Sequence, residues 1–220
     1  MAVAEYDERA CRQRLLQGAS GMEMPLSERQ QQQLMAFLTL LVKWNKAYNL
    51  TAVRDPLEMI GRHLLDSLVI LPYLNGASCL DMGTGPGLPG IPLAIMRPRT
   101  RFVLLDSNSK KVRFLRQAVL ELGLDHCEPV HARVEDYRPD TPFETLTARA
   151  FTALPRMLQL TADLRGAESE LLAMKGRIPN QEIAEISPLY RCDIIPLQVP
   201  FTEGERCLLR IKQGPGIDGT

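Results

Sequence analysis

Apolar residues follow two rhythms along this chain. In residues 28–68 they recur every three or four positions, first as Leu34, Phe37, Leu38, Leu41 and Val42, then as Leu57, Ile60, Leu64, Leu65 and Leu68. That spacing puts each set on one face of a helix. Both runs open on a start signal. Ser27-Glu28-Arg29-Gln30 has the form of a capping box, and Asp55-Pro56 pairs an N-cap with proline at the first helical position. The second stripe leaves Arg62, His63 and Asp66 on or near the polar edge. His63 reads either as a helix-packing histidine or as a substrate contact. Ahead of these runs, residues 5–17 read as a short charged helix that Gly18 stops, with residues 18–25 as a connector.

From residue 78 the period shortens and the chain alternates. Short apolar runs at 78–81, 101–106, 128–132, 144–148, 168–174, 190–199 and 206–212 predict seven strands, with helices at 91–96 and 109–122 between the early ones. Strand and helix in alternation give an α/β sheet, parallel over its first part. The last two strands, joined by the short turn 202–205, predict a hairpin and hence an antiparallel end to the sheet. The organisation expected is a helical extension over 1–75 packed on a core domain at 76–213, with a flexible tail at 214–220.

Composition narrows the class. The chain has 220 residues and 45% hydrophobic content, enough for a full core. No stretch approaches the roughly 20 uninterrupted apolar residues of a membrane helix, and residues 1–14 are charged throughout, unlike a signal peptide. A cytoplasmic location, no membrane partner and a monomer are expected. Five scattered cysteines, with no Cys-x-x-Cys spacing, indicate neither a disulfide framework nor a zinc site, so no metal is expected. They read as small apolar packing residues. Formal net charge is zero, yet residues 97–116 hold seven basic side chains against Asp106, an excess of 6. Residues 117–220 hold 11 basic and 16 acidic residues, a net of −5. A basic patch on a neutral chain points to a local polyanion footprint.

The candidate chemistry centres on residues 79–90, where an apolar run ends in Asp81 and then in Gly83, Gly85, Gly87 and Gly90. Glycines let a backbone approach a ligand closely. Gly85-x-Gly87-x-x-Gly90 fits the dinucleotide fingerprint. Asp81 and the prolines at 86, 89 and 92 pull away from a pyrophosphate, whereas S-adenosylmethionine, with an amino group and a sulfonium, suits an acidic neighbour. In a doubly wound sheet ligands bind beyond the carboxyl ends of the strands. Gly83 and Gly85 stand at the first such end. Asp106 ends the second strand, 21 residues after Gly85, where an acid accepts from ribose hydroxyls. Val134, Glu135 and Asp136 follow the third strand, where adenine could be held. Arg149, ahead of Phe151, and Lys175 end the fourth and fifth. The helix after Asp106 carries Lys110, Lys111, Arg113 and Arg116, candidates for phosphate contacts.

These residues resemble the RsmG (GidB) family in several spaced motifs: residues 45–55 (NKAYNLTAVRD), 62–67 (RHLLDS), 81–90 (DMGTGPGLPG) and 149–151 (RAF), within a similarity over roughly 27–212. The resemblance implies a class I S-adenosylmethionine-dependent methyltransferase with a Rossmann-like sheet, occupying 76–213. It also implies methylation of N7 of guanosine 527 in 16S ribosomal RNA of the small subunit. It places cofactor contacts at Gly83, Leu88, Val134, Glu135 and Arg149, with Asp106 as the ribose acid general to the class, and fixes no catalytic base. Candidate RNA contacts are Arg62, His63, Lys110, Lys111, Arg113, Arg116 and Lys175. Two rival readings are a nicotinamide oxidoreductase, favoured by the glycine fingerprint alone, and a non-catalytic RNA-binding module, which leaves the glycine turn unexplained.

Overall fold

The computed structural model describes residues 6–214; the first residue of the expected N-terminal helix and the tail beyond Gly214 lie outside the described residues. The fold is built on seven strands: β1 (Ser78–Met82), β2 (Arg101–Asp106), β3 (Cys127–His131), β4 (Phe143–Arg149), β5 (Arg165–Lys175), β6 (Tyr190–Pro196) and β7 (Cys207–Gln213). They form one sheet in the order β3-β2-β1-β4-β5-β7-β6, parallel through β5 and antiparallel at β7 and β6. The strand order reverses between β1 and β4, so their carboxyl ends open the crevice where such sheets take ligands.

Alternation along the strands sends side chains to two cores. One face presents Cys79, Phe102, Leu104, Leu172 and Leu208 to the helices α1 (Glu8–Gly21), α2 (Glu28–Tyr48), α5 (Gly90–Met96) and α6 (Ser109–Leu122). The other presents Leu80, Met82, Val103, Leu105, Leu171, Ala173 and Leu209, covered by α7 (Leu154–Leu160) and partly by Ile183 of α8 (Asn180–Ala184). Among the described residues no helix is long and apolar enough to cross a membrane.

The start signals act as read. Ser27 Oγ accepts from Gln30 N, and Gln30 Oε1 accepts from Ser27 N at 2.9 Å. Asp55 Oδ1 accepts from Leu57 N at 3.0 Å.

Three expectations are corrected. Gly18 does not stop α1; it is buried inside the helix, and a Cβ there would lie 2.3 Å from Leu65 Cδ1. A small residue is needed because two helices nearly touch. The second stripe is not a plain α-helix: α3 (Pro56–Met59) passes through a π-helical turn, Ile60–Leu65, into α4 (Asp66–Leu68). A π turn carries more residues than an α turn and shifts the phase of the faces. His63 and Asp66, expected at the polar edge, are therefore buried, 5% and 6% exposed. The last two strands are paired, but by a ten-residue connection over 197–206 rather than a tight turn. This connection packs on the π turn, where a Cβ on Gly61 would meet Phe201 O at 3.1 Å.

Candidate cofactor cleft and nucleic-acid interface

β1 is the innermost point of the site. It ends in a loop held open by glycines with left-handed backbone, Gly83 (φ 60) and Gly85 (φ 60). A Cβ on Gly83 would fall 2.8 Å from the Phe151 ring, whereas one on Gly85 would meet nothing nearer than Lys111 Nζ at 3.9 Å. Of the two, Gly83 lines the crevice, while Gly85 is buried.

Asp81 shapes the loop from beneath. It is fully buried, and its carboxylate accepts from Thr84 Oγ1, from Gly90 N at 2.8 Å and from Thr147 Oγ1 at 3.1 Å. Gly90 allows this approach, since a Cβ would sit 2.6 Å from Asp81 Oδ2. Burial pushes the Asp81 carboxyl up to about 6, and the three donors pull against that rise. The sequence pattern sets this acid beside a cationic ligand. It is instead the staple of the loop.

Asp106, at the end of β2, links the loop to α6. Its Oδ2 accepts from Gly85 N and its Oδ1 from Asn108 N, both at 2.8 Å, while Asn108 caps α6 by accepting from Lys110 N at 3.0 Å. A carboxylate offers about four acceptor sites, so two remain for hydroxyls of a ligand.

Asp106 faces a cleft of about 260 Å³ together with Gly83, Lys111, Val134, Glu135 and Phe151. Val134 is the buried first residue of a single 3₁₀ turn, Val134–Asp136, and Glu135 is exposed. The Gly83 backbone, an acid with acceptor sites to spare and a hydrophobe beside acids have the chemistry to fit the nucleoside and the amino acid end of S-adenosylmethionine.

Gly83, Asp106, Val134 and Glu135 thus come together. Three other candidates do not line the cleft. Gly85 spends its N–H on Asp106. Leu88 is buried in the helical core, with its N–H given to Thr84 O at 2.9 Å. Arg149 turns away: Ala150 takes a left-handed backbone (φ 51), Phe151 covers Gly83, and the guanidinium reaches Asp66 Oδ2 at 3.1 Å and Arg62 O at 3.2 Å. Asp66 Oδ1 accepts also from Arg206 at 3.3 Å. Asp66 is thus a buried acid between two arginines, joining the N-terminal helices to β4 and to the start of β7.

The cations divide. On α6, Val112, Phe114, Leu115, Ala118 and Leu122 face the core, leaving Lys110, Arg113 and Arg116 exposed and Lys111 half-buried over the cleft. None of these four forms an ion pair with the described residues. The basic segment 97–116 is not one patch. Arg101 begins β2 and Asp106 ends it, so Arg101 sits about 16 Å from the cleft, at the opposite edge of the sheet, with Arg97 and Arg99 in the connection that leads into it.

A crystal structure shares the fold at a distance. A methyltransferase from Geobacter sulfurreducens superposes with a TM-score of 0.57 at 16% identity, over 87% of this chain and 91% of that one. At that identity the likeness shows the fold alone. Sequence decides the family. The model described as rRNA small subunit methyltransferase G (GidB) matches residues 30–209. Proteins named ribosomal RNA small subunit methyltransferase G are 53% identical in Ectopseudomonas mendocina, over 90% of this chain and 94% of the relative, and 54% identical in Marinobacter nauticus, over 89% and 92%. The chain belongs to this family.

Set within the family, the remaining candidates separate clearly. Arg62 is exposed and pairs loosely with Glu58 at 3.7 Å. His63 is turned inward, its Nε2 2.9 Å from Thr51 Oγ1, and burial lowers it to about 4. Its ring offers no free surface to an RNA. Lys175, expected at the mouth, reaches Glu182 at 2.9 Å and Thr152 O at 3.2 Å. Glu182 also accepts from Leu154 N at 2.8 Å, so Lys175 anchors α7 and α8 to β5. Periodicity and spacing do not show Lys111, a candidate RNA contact, as a cleft residue, nor the threonine partners of Asp81, nor the Asp66 clamp. A hydroxyl three residues after a strand-end acid, in Asp81-x-x-Thr84, is the signal that could have found the staple.

Proposed function

We propose that this chain transfers a methyl group from S-adenosylmethionine to N7 of guanosine 527 in 16S ribosomal RNA, in the free rRNA or the small subunit, by in-line displacement without a dedicated base. The observation that carries the reading is the match to the family over residues 30–209, with the cleft of Gly83, Asp106, Val134 and Glu135 inside it. When bound, S-adenosylmethionine supplies an electrophilic methyl group on its sulfonium.

The residues of the chain then bind and orient. Asp106 accepts from the ribose hydroxyls with the lone pairs that Gly85 and Asn108 leave free. Val134 packs under the adenine and Glu135 takes its amino group, while Gly83 lets the main chain approach the methionine end. Guanine N7 has an in-plane lone pair and no proton, so no side chain has to remove one. Positioning of two reactants is worth several kcal/mol of barrier on its own. The unpaired Lys110, Arg113 and Arg116 hold RNA phosphates beside the mouth, and Lys111 stands where that row meets the cleft.

The test is incubation with labelled S-adenosylmethionine and 16S rRNA or 30S particles from cells lacking the modification. Label at N7 of one guanosine is the expected result. Calorimetry showing NAD binding and no S-adenosylmethionine binding would return the oxidoreductase reading.

A further inference from the structure

On the far side of Arg149 from the cofactor cleft lies a second polar cavity, of about 480 Å³, between α1, the π turn and the connection over 197–206. Three arginines, Arg14, Arg62 and Arg206, line it together with Glu58 and Glu203. Glu58 is more than half exposed and meets Arg62 only at 3.7 Å. Arg206 is held by the buried Asp66. Arg14 lies over the Phe201 ring, 4.6 Å from its centroid, and its buried Nε has no hydrogen-bond partner. A buried donor on a charged group is costly unless an acceptor reaches it.

The backbone is strained at the same place. Phe201 has φ 62, a conformation that a bulky side chain rarely adopts. Its carbonyl is pressed against Gly61, so the wall of the cavity is fixed. β7 pairs Cys207 with Lys175 at the end of β5, which puts Arg206 on the carboxyl edge of the sheet, the edge that carries the cofactor cleft. Arg62 is tied to that edge through its carbonyl and Arg149. The cations of α6 flank the cleft on one side and this cavity flanks it on the other.

We infer that the cavity holds a backbone phosphate of the RNA strand whose base enters the cofactor cleft, with Arg14 and Arg62 as its principal donors; the inference rests on the rRNA reading above. Arg62 and Arg206 fall within the segment shared with the family model, and Arg14 lies ahead of it.

The test uses the full chain with Arg14→Gln, Arg62→Gln and both together, leaving Arg206 in place because it supports buried Asp66. Equilibrium binding of a 16S rRNA transcript is measured at several salt concentrations, beside calorimetry with S-adenosylmethionine. The double variant should bind the transcript about tenfold more weakly, as for one lost charge-assisted contact. Its slope of log affinity against log salt should be shallower by about 0.7, the value for one phosphate of a single strand. Its affinity for S-adenosylmethionine should be unchanged. Arg14→Lys, which keeps the charge, should recover the slope. Wild-type affinity and slope in the double variant would overturn the assignment, as would an equal loss from Arg99→Gln in the connection that leads into β2. If the unaltered chain binds RNA through these arginines yet methylates none, it is the proposed function that fails, and the cavity stands.

Discussion

Replacing Asp81 probes the loop on which the cleft depends. Its carboxylate accepts from two hydroxyls and one backbone N–H, all of them buried. Asp81→Ala leaves three donors without their acceptor, at about 1 kcal/mol or more each, so the loss is about 3 kcal/mol. For a chain of this size that lowers the melting temperature by about 6–12 °C. Asp81→Asn keeps one oxygen for Thr84 and Gly90, and its amide can donate to Thr147 once that hydroxyl turns, so it should cost about 1 kcal/mol.

The two residues differ also in pH dependence. The Asp81 carboxyl rises from 3.8 to about 6 on folding. The folded state therefore favours the protonated acid, and this contribution is fully present below pH 3.8 and lost as pH rises through about 6. A shift of that size corresponds to about 3 kcal/mol. Thermal melts of the unaltered chain and Asp81→Asn from pH 4.5 to 7.5 should show the advantage of the aspartate shrinking as pH rises. Parallel curves, or an Asp81→Ala variant that melts like the unaltered chain, would refute the assignment of Asp81 as staple.

Four further outcomes follow from the same geometry. Asp106→Ala should weaken S-adenosylmethionine binding by about 10- to 100-fold in calorimetry, the value of hydrogen bonds to a charged acceptor. Gly18→Ala pushes a methyl group to within 2.3 Å of Leu65, and chemical denaturation should register about 1–3 kcal/mol of overpacking. Lys175→Met should lower stability by about 1 kcal/mol and leave the salt dependence of rRNA binding as it was, because the ammonium is occupied by Glu182 and Thr152. Lys110→Ala with Arg113→Ala should make that salt slope shallower by about 1.4, two phosphates' worth for a single strand.

Much of the sheet is legible in the sequence because its signals are local. Apolar runs of strand length, turn glycines and the caps at Ser27 and Asp55 each act within a few residues, and the structure places them as read. The failures are tertiary. Gly18 looks like a helix stop until Leu65 is seen against it, and the positions of His63 and Asp66 depend on a π turn that no 3.6-residue period anticipates.

The site divides the same way. Gly83, Asp106, Val134 and Glu135 stand at strand ends, where topology alone brings them to one cleft. Asp81 sits one position inside its strand, so it reads as a neighbour of the ligand and serves instead under the loop. Arg149 and Lys175 also end strands, but each meets a buried or half-buried acid from a distant segment, Asp66 or Glu182, and is drawn aside. A charge count over 97–116 cannot show that β2 runs between the two halves and sets Arg101 at the far edge, with Arg97 and Arg99 in the connection that leads into it.

On the proposed function, the cleft beside Gly83 and Asp106 delivers a methyl group to one guanine in small-subunit RNA. The most direct test maps the label after incubating the purified chain, labelled S-adenosylmethionine and unmodified 16S rRNA or 30S particles. A single methyl group at N7 of guanosine 527 is expected, with its formation abolished or strongly slowed in Asp106→Ala. A methyl group on another atom or another nucleotide, or undiminished transfer by that variant, would contradict it.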